Sequence, residues 1–223
     1  MSASALVLQW HDRFDKLSLQ WHQAHSHSVS VLQNIQNLVE QRQMTLSYLP
    51  ELNDPHRNAA HPIFGADTPL ILSQIPDLVQ RLGLKQTAAI ERSVKTLQAD
   101  LEEIGQVVRE MNRLKQGALD RIRSSTPLLG PEDSAAGPLQ ISLVEMADWI
   151  QTMASSYDRE SFALKQSVGP SGLDILSNDE QSDALARTLG RWNALSLLDL
   201  DFEAIVRERV KALRRYERQA NQG

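Results

Sequence analysis

The chain has 223 residues, 41% of them hydrophobic and 23% charged, with a formal net charge of −5. These are ordinary globular proportions, so the chain can bury a core, while the mild negative balance argues against a globally basic nucleic-acid binder. The absence of cysteine excludes disulfides and thiolate metal sites and fits a reducing compartment.

Leu, Ala, Gln, Glu and Arg dominate, and the β-branched, aromatic-rich alternation of strands is nowhere sustained, which predicts an all-α chain. The N-terminal run lacks the basic n-region of a signal peptide, and no stretch reaches the ~20 apolar residues that span a bilayer. No membrane association is therefore expected. Proline and glycine divide the chain into an N-terminal heptad helix (1–49), a proline-containing loop with a short helix (50–85), a long heptad helix (86–123), a flexible linker (124–140), and C-terminal helices with a basic tail (141–223). Together they are expected to form one elongated domain, an antiparallel helical bundle with coiled-coil-like heptad helices.

In the first segment Trp10, Phe14, Leu17, Trp21, Ala24, Ser28, Val31, Ile35 and Leu38 alternate at spacings of four and three, which turns one apolar seam toward a partner helix. In the third, Ile90, Val94, Leu97, Leu101, Ile104, Val108, Met111, Lys115, Ala118 and Ile122 repeat the pattern. As a helix this segment starts at Gln86, after interruptions near Pro76 and Gly83, and runs about 55 Å at ~1.5 Å per residue. Leu143, Met146, Ile150, Met153, Tyr157, Leu164 and Val168 mark another amphipathic helix, with Ser142 as N-cap and Glu145 completing a capping box. A short polar helix near Asp179–Leu189 precedes a last one carrying Leu195, Leu198, Phe202, Ile205, Val206, Val210 and Leu213.

Little in the chain resembles chemistry. His22, His25 and His27 lack the carboxylate or thiolate that would complete a metal set and read as exposed histidines beside a buried Trp21; His56 and His61 read as solvated turn residues. No phosphate-binding glycine loop, framed nucleophile or Glu-x-x-His pair occurs, and Asp100, Glu102, Glu103 and Glu110 read as a solvated face. No catalytic residue, metal or cofactor is expected, so the chain is not expected to be an enzyme. Core or protein-interface candidates are Trp10, Trp21, Val94, Leu97, Leu101, Ile104, Val108, Trp149 and Tyr157. The two seams offer more apolar surface than one small bundle needs, which implies a helical partner. Arg207, Arg209, Lys211, Arg214, Arg215 and Arg218 complement a helix C-terminus, and are also candidates for contact with RNA or an acidic protein surface.

The order of three sequence words carries a family resemblance. A heptad helix containing Leu19-Gln20-Trp21-His22-Gln23-Ala24 is followed by Ile75-Pro76-Asp77-Leu78-Val79-Gln80-Arg81-Leu82 and then by Ile141-Ser142-Leu143-Val144-Glu145-Met146-Ala147-Asp148-Trp149-Ile150, with Tyr157, Leu164-Lys165 and Arg191-Trp192 beyond. From about Leu17 to Leu213 the chain resembles the AIRIM family, the AAA-ATPase-interacting ribosome maturation factors. The resemblance implies a non-catalytic helical adaptor subunit, joined to AAA+ ATPase subunits and a second small helical subunit of CINP type. It implies work on the pre-ribosomal particle during cytoplasmic maturation of the large ribosomal subunit, and a nuclear, chromatin-linked role besides. The alternative reading is a structural coiled-coil subunit of another assembly, of the tethering or cytoskeletal kind.

Overall fold

A computed structural model describes residues 3–47, 77–125, 140–169 and 181–220. Among them are five helices and no strand: α1 (Ala3–Ser47), α2 (Leu78–Ser125), α3 (Leu143–Val168), α4 (Gln181–Ala194) and α5 (Leu200–Ala220). The all-α expectation holds. Most of the proline-containing loop, with His56 and His61, and most of the 124–140 linker lie outside the described residues.

The chain divides into two compact units, one of residues 1–27, 100–167 and 191–223 and the other of 28–99 and 168–190. In the first unit the direction of each helix follows from its cross-helix pairs. His27 meets Asp100 at 2.8 Å and Arg13 meets Glu110 at 3.5 Å, so α2 runs antiparallel to α1. Ser18 meets Tyr157 at 2.8 Å and Trp21 meets Ser161 at 2.9 Å, so α3 runs parallel to α1. Asp15 pairs with Arg207 and Asp12 with Arg214, which makes α5 antiparallel. Four helices thus build this unit in the up-down-up-down order of a bundle, with their apolar stripes turned inward. In the second unit the remainders of α1 and α2 also pack antiparallel: the Asn34 amide donates to Ser93 Oγ at 3.1 Å and the Gln86 amide to Thr45 Oγ1 at 3.0 Å.

Local chemistry accounts for the helix ends. Ser142 Oγ accepts the Glu145 amide at 3.0 Å, the N-cap expected for α3, but the Glu145 carboxylate bonds Arg209 of α5. Asp199 caps α5 in the same way, Oδ1 accepting the Phe202 amide at 2.9 Å.

Two boundaries differ from the sequence reading. α2 begins at Leu78, eight residues before Gln86, and carries Gly83 inside it. A glycine costs a helix interior ~1 kcal/mol relative to Ala, but this one is buried, and a Cβ there would stand 3.6 Å from Leu46. Packing of α1 against it offsets the propensity. The last seam is broken as well: Leu195 has φ 43° and Leu198 lies outside both α4 and α5. The buried Glu160 carboxylate of α3 accepts the Leu197 amide at 2.8 Å and holds this turn in place.

Candidate functional site

Most seam positions lie inside the chain, while Val31, Leu38, Lys115 and Ile122 are half-buried. Trp10, Trp21, Val94, Leu97, Leu101, Ile104, Val108, Trp149 and Tyr157 are all buried, as are Phe14, Met111 and Ala118 beside them. Over most of its length the apolar stripe that implied a partner is covered by the chain's own helices, and in the first unit α3 and α5 pack with α1 and α2. Large apolar side chains do stand outside, among them Leu19, Leu84, Phe162 and Ile205. Ile205 is a correction, since the expected seam of the last helix included it and it is 59% exposed.

At the centre of the first unit the core is polar as well as aromatic. The hydroxyl of Tyr157 shares hydrogen bonds with Ser18 Oγ and with His22 Nε2 at 3.0 Å. Trp21 donates its indole N–H to Ser161 Oγ and stacks on His25, centroids 5.1 Å apart and rings 4° from coplanar. Trp192 donates to Ser167 Oγ at 2.7 Å and lies 6.3 Å from the His25 ring. Glu203 is buried beside this group and accepts from Arg207 at 3.2 Å. Burial pushes the Tyr157 hydroxyl well above its ordinary pKa, and the nearby Glu203 charge adds to the shift. Burial likewise raises Glu203 and lowers His11, His22 and His25. This arrangement ties α1, α3 and α5 together in one register, while His25 Nε2 and Glu203 Oε1 are buried with no hydrogen-bond partner among the described residues.

The histidine trio is thus not the exposed set the sequence suggested. His25 is buried and His22 half-buried, while exposed His27 turns to Asp100, itself buried rather than part of a solvated face. Among the described residues no group of three His, Cys, Asp or Glu side chains could hold a metal ion. Neither Glu203 nor the Ser18, Ser161 and Ser167 hydroxyls could be singled out from the sequence, because each gains its role from a partner on another helix.

Four of the six basic candidates have acidic partners. Arg207 pairs with Asp15 and Glu203, Arg209 with Glu145, Lys211 with Glu208, and Arg214 with Asp12. Arg209 also lies 5.0 Å over the Trp149 ring, a cation–π contact that shields the indole. Arg215 and Arg218 are exposed. No helix of the described residues is long and apolar enough to cross a membrane.

A family model described as "Ribosome biogenesis protein C1orf109-like" matches residues 4–210. The chain belongs to this CA109-like family. C1orf109 is known as AIRIM, so the family is the one that the three sequence words resemble. No curated protein matches the chain. The C1orf109-like match runs through every described helix and ends within α5, so that Arg214, Arg215 and Arg218 follow it.

Buried His11 and His25 and half-buried His22 give this C1orf109-like fold a pH dependence. Their folded pKa values lie below the ordinary 6.5, so the unfolded chain takes up protons first and stability, complete above that value, is lost as pH falls through 6.5 toward the folded values. Glu203 acts in the opposite sense, because its raised pKa lets the folded state bind a proton before the unfolded one. Three groups oppose one. The melting temperature should be lower at pH 5.5 than at pH 7.5, and a melt showing equal or greater stability at pH 5.5 would contradict the assignment of these imidazoles to the core.

Proposed function

We propose that this ribosome biogenesis protein is a non-catalytic adaptor that binds AAA+ ATPase subunits together with a second small helical subunit of CINP type. In this reading it serves cytoplasmic maturation of the large ribosomal subunit and is found in the cytoplasm and the nucleus. The observation that carries the reading is the division of labour on the helices. Their inward stripes fill the core, yet α3 also holds Phe162 63% exposed and α5 holds Ile205 59% exposed. Large apolar side chains that stand in water on helices already packed on their other faces gain free energy when a partner covers them. Family membership supports the pre-ribosomal setting, and the motif order supports the choice of ATPase partners. Affinity capture with the full chain from native cytosol should bring down an AAA+ ATPase and a small helical protein, with large-subunit precursors in the same eluate. Capture of neither, together with hydrolysis of a small substrate by the purified chain, would count against the proposal.

A further inference from the structure

The up-down-up-down order of the first unit gathers the starts of α1 and α3 and the ends of α2 and α5 at one pole. Trp10 and Arg13 of α1 line one hollow with Arg113, Gly117 and Ala118 of α2, and Ala5, Leu8 and Asp12 line another with Glu217 of α5. The half of the bundle on this side of the Ser18–Tyr157 contact comprises residues 3–17, 106–125, 143–156 and 207–220. It carries thirteen Lys and Arg residues against eight Asp and Glu, an excess of five positive charges. The whole chain has a net charge of −5, so ten net negative charges fall on the rest. However the ion pairs among these described residues are arranged, they cannot neutralise the excess.

We propose that this pole binds single-stranded RNA through its phosphates, with Arg121 and Arg123 of α2 and Arg215 and Arg218 of α5 as the principal contacts and Tyr216 as a stacking platform for a base. All four arginines are exposed. Among the described residues the ion pair they make, Arg123 to Asp120 at 3.4 Å, joins two exposed side chains three residues apart, a pairing too weak to compete with a phosphate. By contrast Arg207, Arg209 and Arg214 are engaged with carboxylates of α1, α3 and α5 and serve mainly to hold the bundle.

Two features favour RNA over an acidic polypeptide. Ten of the thirteen cations are arginine, whose fork pairs with carboxylate and phosphate alike but whose flat face also stacks on bases, a contact that an acidic polypeptide does not offer. Tyr216, 44% exposed between Arg215 and Arg218 in the sequence, offers an aromatic surface that a run of Asp and Glu would not use and a splayed base would. The chain's family works in ribosome biogenesis, where RNA is the densest source of phosphate. The proposal does not depend on the ATPase reading.

The test is fluorescence anisotropy of the full chain with a labelled mixed-sequence RNA of about 16 nucleotides, between 50 and 200 mM salt. Four phosphate contacts predict that log K falls against log salt with a slope of about −3, from ~0.7 per contact on single strands. Joint replacement of Arg121, Arg123, Arg215 and Arg218 by Ala should weaken binding at least tenfold and flatten the slope. Tyr216→Ala should weaken binding several-fold and leave the slope unchanged. Joint Arg92→Ala and Lys95→Ala, in the second unit, should leave binding as it is, and all variants should melt with the parent. The proposal is overturned if the parent does not bind RNA, if the quadruple variant binds as tightly, if the Arg92 and Lys95 variant loses as much, or if polyglutamate of equal charge displaces the RNA. Capture of the ATPase should survive the quadruple replacement, so failure of the RNA proposal and failure of the adaptor reading would give different results.

Discussion

Replacing Trp21 by Ala should destabilise the first unit by ~3–5 kcal/mol, in the range for deleting a large buried aromatic. Trp21 has no exposed surface, stacks on His25, meets Tyr157 edge-on at 5.1 Å and donates its N–H to Ser161. Its removal would leave a cavity among rings that cannot collapse and would take away the donor to the Ser161 hydroxyl. Against a total stability of ~5–15 kcal/mol this is a large share, and at ~2–4 °C per kcal/mol for a chain of this size the melting temperature should fall by about 6–20 °C. Thermal and urea melts followed by helical circular dichroism read the effect directly. A change under ~1 kcal/mol would mean that the aromatic cluster is not the core of the isolated chain.

The second large effect should come from Ile104→Ala, at ~2–5 kcal/mol. Ile104 stands in the middle of the α2 seam with no exposed surface, while neighbouring Glu103 is exposed. Glu103→Ala should therefore stay within ~0.5 kcal/mol, as surface substitutions usually do. The pair separates two accounts of the seam. A seam that waits for a partner would give equal melts for both variants of the isolated chain, whereas a seam buried by α3 and α5 gives the full loss with no partner present.

The heptad spacing made the burial of Trp10, Trp21, Leu97, Leu101 and Ile104 legible, because apolar residues three and four apart share one face whatever covers it. It could not say what covers it. A seam reads the same whether its partner belongs to another protein or to a later segment of the same chain, and here the later segments supply it. The Ser142 cap was legible for a similar reason, since the residue that accepts the amide is three positions away. What stayed hidden depends on distant partners. Gly83 continues a helix because it packs beside Leu46, and the turn at Leu195–Leu197 exists because Glu160 holds it from α3. His25 is buried because Trp21 and Trp192 lie against it. The basic tail suggested contact with RNA or an acidic protein surface, but the share of α2 in the proposed RNA surface is a consequence of helix order that no local pattern contains.

The central claim, that an internally complete bundle binds its partners through apolar side chains on its outer surface, is tested most directly by comparing capture from native cytosol by the parent chain, by Phe162→Asp and by Ile205→Asp. Both variants place a charge where the side chain already faces water, so their melting temperatures should match the parent's. The account predicts that the parent brings down an AAA+ ATPase and that at least one variant loses it while remaining folded. Full capture by both variants, or loss only on substitutions such as Ile104→Ala that also unfold the chain, would contradict it.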